Sequence, residues 1–433
     1  VPQRMREAVK LNFAIAHAVR AFWRTKSLAR RLRTREHVER WRAQRLEHFL
    51  AHTIGRVPFY AGPVATRLED LPIVDKQVVL ANFDKLNVKG VPYETVRAAL
   101  DAKQERVEGL IVGQSTGTSG NRGVFVISEA ERFTWLGVML GKTLPDFPFA
   151  RHKVALALPG FNPLYASASE TGRLVLRFFD LTLGVDAWRD DLCAFAPDTI
   201  VAPPKVLRAL AETTTMRIEN VFSGAEVLDP LDRQIVEARF ATPVREIYMA
   251  TEGLFGVGCK HGALHLAEDA VAFEFEPAPG GLVSPLVTDF TRSTQIMARY
   301  RMNDLLRLSD RPCACGSPLQ RVASVEGRQD DVFLMAGVAG KQVMVTPDIM
   351  RNAVIDADRR IQDFRIVQVG ADRIALSLAT DLPNDSASAA AAALKTTIEK
   401  AGAVDVSIDL LSGIEVPYDR KLRRVRREWR PNA

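Results

Sequence analysis

Four short segments that read as buried strands, Val154–Leu158, Thr199–Ala202, Val221–Phe222 and Arg245–Tyr248, alternate with segments of helical pattern through the middle of this chain. Proline stands at 204 and 230, where the intervening helices would begin. A first-turn residue needs no backbone N–H, so proline is tolerated there and its fixed φ suits the helix. Strands that alternate with helices pair in parallel, so this stretch predicts a parallel sheet covered by helices.

The rest of the chain is organised around that core. At 433 residues it exceeds what one core comfortably holds, so a large domain and a smaller one are expected. Residues 1–60 read as helical and basic, with Leu28 to Leu50 as an amphipathic helix packed on the main body. After Glu274 the strands become more nearly continuous, through Met297–Tyr300 and Leu305–Leu308. The character breaks at Gly327-Arg328-Gln329-Asp330-Asp331. Beyond it the order reads strand–strand–helix–strand–strand–helix–strand, with the Ala-rich Ser386–Leu394 as helix and a basic tail at the end. The expected class is α/β: a large, multi-sheet N-terminal domain with parallel portions (1–327) and a small, hinged α+β domain (328–433).

Composition bounds the function. Hydrophobic residues at 47% and charged residues at 25% are ordinary for a globular enzyme. No run approaches the roughly 20 apolar residues of a membrane span, and residues 1–20 lack the layout of a secretory signal. Four cysteines do not make a disulfide framework, so a cytoplasmic, reducing setting is expected. A net charge of +6 with a pI near 9.2 suits an enzyme handling anionic nucleotides as well as a nucleic-acid binder.

The stretch Gly113-Gln114-Ser115-Thr116-Gly117-Thr118-Ser119-Gly120-Asn121-Arg122-Gly123 has the makings of a phosphate loop: glycines expose backbone N–H groups and hydroxyls add donors. It lacks the Gly-Lys-Ser/Thr ending of a Walker A loop. Strand-like Val107–Val112 precedes it, Val124–Ile127 follows, and a helix starts only at the capping box Ser128-Glu129-Ala130-Glu131. A ligand-free Ser/Thr/Gly hairpin would fit the segment equally well.

In its wider setting, Ser115-Thr116-Gly117-Thr118-Ser119-Gly120 resembles the Ser/Thr/Gly-rich loop of adenylate-forming enzymes, particularly the phenylacetate–CoA ligase branch. Five further segments match that branch in order. Phe222-Ser223-Gly224-Ala225-Glu226 resembles its SGAE segment, which lies against adenine. Tyr248-Met249-Ala250-Thr251-Glu252 resembles YxxTE, whose glutamate helps hold Mg²⁺. Tyr300-Arg301-Met302-Asn303-Asp304 resembles Y-R-T-G-D, whose aspartate binds the ribose hydroxyls. Gly327-Arg328-Gln329-Asp330-Asp331 resembles the hinge motif, with Asp330 at the pivot. Lys421-Leu422-Arg423-Arg424-Val425 resembles the K-x-x-R-V ending that carries the adenylation lysine. Weaker similarity at Val57–Tyr60 and Leu71–Lys76 extends the match over nearly the whole chain.

The resemblance implies ATP and Mg²⁺ as cofactors and assigns roles. Ser115 to Gly120 hold the phosphates, and Glu252 binds magnesium beside Thr251. Gly224, Ala225, Glu226, Tyr248, Asp304 and Arg328 bind adenosine, and Lys421 bridges the carboxylate and the α-phosphate. Bringing two anions together demands such positive charge and positioning. Phe161, Tyr165, Ser223 and Ala250 would line the acid pocket, whose small, aromatic and apolar character favours an aryl or similar organic acid. Three departures stand out: Asn121-Arg122 where the loop usually ends in lysine, Asn303 for glycine, and Arg420 for the glycine before the lysine.

Cys259, His261, His265 and the pair Cys313 and Cys315 offer three thiolates and an imidazole, enough for a closed tetrahedral zinc site. The residues alone leave this and three buried, reduced cysteines equally open. The resemblance favours structural Zn²⁺ and selects His265, which precedes the acidic pair Glu268-Asp269.

The leading expectation is ATP-dependent activation of a carboxylic acid to acyl-AMP, then transfer to a thiol of CoA or an acyl carrier protein. A second keeps ATP but moves AMP onto a phenolic hydroxyl, as in the related deazaflavin-cofactor adenylylating synthetases. A third is a basic, zinc-containing nucleic-acid binder, against which stands the absence of any helix-turn-helix or RNA-recognition signature. No nucleic-acid partner and no membrane span are expected, and the reading leaves room for a homodimer.

Overall fold

The computed structural model describes residues 3–62, 65–114, 123–158, 172–416 and 421–431, with side chains from residue 13 onward. The chain opens with helices α1 (Gln3–Arg31) and α2 (Arg35–His52). The expected continuous helix over Leu28–Leu50 is therefore broken: Arg31 ends one helix and Thr34 caps the next, its hydroxyl accepting the His37 N–H. Short helices α3 (Lys76–Ala81) and α4 (Tyr93–Asp101) follow, then a small antiparallel sheet of β1 (Arg106–Val107), β2 (Leu110–Gln114) and β3 (Val124–Ile127). The predicted strand over Val107–Val112 is interrupted by a turn at Glu108 and Gly109, both at positive φ.

Helix α5 (Glu129–Thr143) begins at the capping box. Ser128 Oγ accepts the Glu131 N–H at 3.2 Å, and the Glu131 carboxylate accepts the Ser128 N–H at 2.8 Å. Its glycines let α1 lie close, because a Cβ on Gly137 would sit 2.1 Å from the Ala18 carbonyl oxygen. The parallel core then appears with the four expected strands, β4 (His152–Leu158), β6 (Thr199–Ala202), β7 (Asn220–Gly224) and β8 (Val244–Ala250), and one that was not expected, β5 (Leu174–Asp180). Between them run α6 (Arg189–Phe195), α7 (Pro204–Thr213) and α8 (Pro230–Phe240), the last two opened by the expected prolines.

The sheet continues antiparallel through β9 (Gly253–Gly258), β10 (Leu264–Leu266), β11 (Val271–Ala278), β12 (Leu282–Asp289), β13 (Tyr300–Arg301), β14 (Asp304–Ser309) and β15 (Arg321–Arg328). The order is β11-β12-β14-β15-β10-β9-β8-β7-β6-β4-β5, with β13 on β12, giving 12 strands. The expected strand over Met297–Tyr300 is reduced to Tyr300–Arg301. Arg299 stands at φ +51° and is tied by its guanidinium to Glu274 at 2.9 Å and the Leu71 carbonyl at 2.9 Å, which turns the chain before pairing starts.

Residues beyond 331 form separate sheets: a hairpin of β16 (Phe333–Ala336) and β17 (Gln342–Val345), and a four-stranded sheet of β18 (Phe364–Gln368), β19 (Arg373–Leu378), β20 (Ser407–Ser412) and β21 (Val425–Arg427). Helices α9 (Pro347–Ala357) and α10 (Asn384–Lys400) close a core of their own around Phe364, Ile366, Leu376 and Leu394. The order matches the expected pattern, with one addition: part of the basic tail forms β21, parallel to β18, and Val425 is buried in that core. Among the described residues no helix is long and apolar enough to cross a membrane.

Candidate active site

A cavity of about 2100 Å³ lies between the carboxyl ends of the parallel strands and the C-terminal segment. This is larger than the roughly 300–1,000 Å³ of a single-ligand pocket and leaves space for a nucleotide and a second molecule. Open α/β sheets bind ligands beyond the carboxyl ends of their strands, where the backbone stops pairing and loops diverge.

Strand register brings the predicted residues together. Ser223 and Gly224 end β7, and Ala225 follows at φ +68°, a left-handed conformation costly for a residue with a Cβ. Tyr248 lies on β8, and the tight β8–β9 turn, in which Ala250 faces Gly253, presents Thr251 and Glu252. Asp304 pairs directly opposite Arg328 across β14 and β15. The Tyr248 hydroxyl donates to Asp304 at 2.9 Å, and Thr251 Oγ1 donates to Glu252 at 2.8 Å. All of these residues line the cavity, as do Asp330 and Lys421.

The electrostatics of the site are set by burial. It pushes the Asp304 carboxyl up, against the pull of Arg328, the Tyr248 hydrogen bond and Lys421. Glu226 is also pushed up by burial, only partly offset by Lys205, whose ammonium lies 3.0 Å away. Lys421 is pushed down by burial and then by Arg328, against the attraction of Asp304, Glu226 and Glu252. No carboxylate of the described residues stands within ion-pair distance of Lys421, whereas Arg424, three residues on, contacts Asp232 at 2.6 Å and Asp363 at 2.8 Å. Lining atoms buried without a partner include Ser223 Oγ and Arg292 Nη1. Buried polar atoms are almost always paired, so these mark places for ligand atoms. Trp135, Met139, Phe222 and Ile247 supply an apolar wall.

Not every expected residue can be placed. Ser115 to Gly120, Asn121, Phe161, Tyr165 and Arg420 lie outside the described residues. Glu226 does more than was expected, since one of its oxygens is held by buried Lys205. Asn303, which departs from the motif, donates from Nδ2 to the Asp330 carboxylate at 2.6 Å. Sequence reasoning gave no role to Lys76, Tyr300 or Arg292, all of which line the cavity near Glu252. For Arg292 the available signal was faint: a polar run, Thr291-Arg292-Ser293-Thr294, between two apolar strands.

A second cluster sits away from the cavity. The ligand atoms of Cys259, His265, Cys313 and Cys315 lie within 4.8 Å of one another. Cys259 Sγ to Cys313 Sγ is 3.7 Å and Cys315 Sγ to His265 Nε2 is 3.4 Å. A tetrahedron with Zn–S bonds of about 2.3 Å has edges near 3.8 Å, so the four atoms fit one ion. His265 Nδ1 is 3.1 Å from the Leu319 carbonyl, which directs Nε2 into the cluster, and burial lowers its pKa toward the neutral, ligating form. The N–H groups of His261 and Ser317 donate to Cys259 and Cys315 at 3.4 Å, so His261 contributes its backbone to the cluster and not its ring.

No family model matches the chain. A phenylacetate–coenzyme A ligase of Thermus thermophilus is 26% identical over 344 residues, 70% of this chain and 73% of that protein. A second enzyme of that name, from Pseudomonas putida, is 24% identical over 68% of this chain and 71% of its own length. Among solved structures, a 2-hydroxyisobutyryl-CoA ligase in the postadenylation state, in complex with 2-HIB-AMP, superposes with a TM-score of 0.63 at 18% identity, covering 91% of this chain and 90% of its own.

Proposed function

Because the chain belongs to the adenylate-forming, acyl-CoA synthetase-like superfamily, beside the phenylacetate–CoA ligases, we propose that it joins an apolar, aryl-type carboxylic acid to the α-phosphate of ATP and passes the acyl group to a thiol. It is an adenylate-forming ligase of the acid–thiol type. The observation that carries the proposal is the position of Lys421: partly desolvated, unpaired among the described residues, and within the field of Glu226, Glu252 and Asp304 in the cavity they line together.

In this reading Asp304, backed by Tyr248, receives the ribose hydroxyls, and the end of β7 meets adenine. The loop at 115–120 holds the phosphates. Lys421 draws the acid's carboxylate and the α-phosphate together, a task for a mobile point charge. Glu252 would hold Mg²⁺, which supplies charge neutralisation on the phosphate oxygens. The apolar wall of Trp135, Met139 and Phe222 supports an aryl or similar acid, because a hydrophilic one would leave its polar groups unpaired there. The thiol is that of CoA or a carrier-protein phosphopantetheine. Residues 328–433 form the mobile unit, pivoting at Asp330, and the cysteine cluster holds structural zinc.

The test is pyrophosphate release from ATP and Mg²⁺ over a panel of aryl, hydroxyaryl and aliphatic acids, with mass detection of acyl-AMP. Acyl-AMP formed with an aryl acid is the expected result. AMP appearing on a phenol, with no acid-dependent pyrophosphate, would replace this reading with adenylyl transfer to a hydroxyl.

A further inference from the structure

Arg292 lines the cavity beside the β2–β3 hairpin and carries a buried guanidinium nitrogen without a hydrogen-bond partner. One terminal nitrogen donates to the Thr251 carbonyl, beside Glu252. The other, Nη1, is buried with no acceptor. Its guanidinium lies 6.0 Å from the centre of the Phe125 ring. Phe125 pairs with Gly113 at the base of the β2–β3 hairpin, and the segment that closes this hairpin is the Ser/Thr/Gly-rich loop. Arg292 thus lies against β3 of that hairpin as well as beside the Glu252 turn.

The backbone around Arg292 is held in place. Glu131 Oε1 accepts the N–H groups of Ser293 at 2.6 Å and Thr294 at 2.9 Å, and Glu131 Oε2 accepts the Thr294 hydroxyl. The same carboxylate caps α5, the helix that follows directly after the hairpin. One buried carboxylate therefore locks the Arg292 segment to the hairpin that carries the loop. Asp289 is near enough to temper the charge of Arg292, but its Oδ1 is taken by the Thr291 N–H at 2.7 Å and the Thr291 hydroxyl at 2.6 Å. No hydrogen bond joins Asp289 to Arg292, so Nη1 remains a donor without an acceptor.

We infer that Arg292 is a second cation of the site, donating from Nη1 to the β- and γ-phosphates of ATP and holding pyrophosphate as it leaves. The inference rests on the adenylation reading above. In that step a carboxylate oxygen bonds to the α-phosphorus while the bond from that phosphorus to the β-bridging oxygen breaks. The bonding pair departs on pyrophosphate, and no proton is transferred. Negative charge grows on the leaving group, and a fixed, desolvated guanidinium meets it without reorganising.

The test is calorimetric binding of ATP, pyrophosphate and AMP, each with Mg²⁺, to the wild type, Arg292→Gln and Arg292→Lys. Arg292→Gln is expected to lose about 10- to 100-fold in affinity for pyrophosphate and ATP, the range for a charged hydrogen bond, with AMP unchanged. Arg292→Lys is expected to recover part of the loss, because it keeps the charge without the fork. Wild-type pyrophosphate affinity in Arg292→Gln, or an equal loss for AMP, overturns the assignment. A wild type that binds neither ATP nor AMP overturns the adenylation reading itself and this inference with it.

Discussion

The cavity and the cysteine cluster sit at opposite ends of the same strands. Strand β9 starts at the turn bearing Glu252 and ends just before Cys259. Strand β14 starts at Asp304 and leads out to Cys313 and Cys315, and β15 returns to Arg328. At one end the four candidate ligand atoms lie within 4.8 Å of one another, and backbone N–H groups point at the sulfurs. At the other end buried carboxyls are pushed up by desolvation, Lys421 is pushed down, and polar atoms lack partners. One end of the sheet offers four protein ligands that can close around a single ion, and the other is left to be completed by substrate. Stability and activity should therefore separate along a strand only six to eight residues long.

The sharpest way to break that contrast is at Lys421. Lys421→Ala is expected to lower acyl-AMP formation by about 10³-fold or more, the scale of removing a positioned charge, while ATP affinity falls only a few-fold. Pyrophosphate release and direct ATP binding measure the two. A wild-type rate of adenylate formation would show that the open end does not depend on this residue. The same lysine predicts a pH limb. Burial and Arg328 hold its pKa below 10.5, so the protonated form, and with it the rate, is lost as pH rises through a value below 10.5. Lys421→Arg should abolish that limb in the pH–rate profile.

Much of this was legible in the chain, for physical reasons that differ by element. Strands β4 and β6 were readable because they are mostly buried and run apolar: Thr199–Ala202 is found with its predicted ends, and Pro204 and Pro230 mark the first turns of α7 and α8. Leu32 to Thr34 was misread because hydrophobic periodicity persists across a capped break. The basic tail was not read as a strand, yet Val425 is buried in β21 and Arg424 is paired with Asp232, 192 residues away in sequence. Tertiary pairing over such a span leaves no local signal. Glu131 shows the limit most clearly. The capping box was visible, but the bonds from the same carboxylate to Ser293 and Thr294 depend on a loop that only the folded sheet delivers.

The closed end is tested by its metal. Purified protein is expected to carry one zinc per chain by elemental analysis. Chelation or Cys315→Ser should cost at least about 2 kcal/mol, read as a lower denaturation midpoint. Adenylation per folded molecule should stay near the wild-type rate, because four protein ligands leave no position for water or substrate. Loss of activity ahead of unfolding would show that the two ends are coupled through β14 and β15.

Asp304→Asn sharpens the comparison from the open end. Burial raises the carboxyl's pKa above 3.8 in the folded state. The unfolded chain therefore releases that proton first, and this group's contribution to stability falls as pH rises from about 3.8 through the folded pKa. At neutral pH its charge opposes folding. The asparagine can still accept the Tyr248 hydroxyl, so the melting point at pH 7 should equal or exceed that of the wild type, while affinity for AMP falls by about 10-fold. A marked loss of stability at pH 7 would mean that Asp304 belongs to the self-satisfied class.

The smallest effect is expected at Asn303, where the chain departs from its relatives' motif. Its amide donates to the exposed Asp330 carboxylate at 2.6 Å, and Arg427 donates to the Asp330 carbonyl at 3.2 Å. If residues 328–433 pivot at Asp330, this amide latches the arrangement that places Lys421 in the cavity. A solvent-exposed hydrogen bond is worth about 1 kcal/mol at most, so Asn303→Gly should change the balance of arrangements by no more than about 5-fold. Single-turnover transfer from preformed acyl-AMP to the thiol should quicken by that factor, with pyrophosphate release unchanged or slightly slower. Equal acceleration of both half-reactions would place the effect on nucleotide exchange, and no change in either would leave Asn303 as a residue of the open end that neither holds ligand nor governs motion.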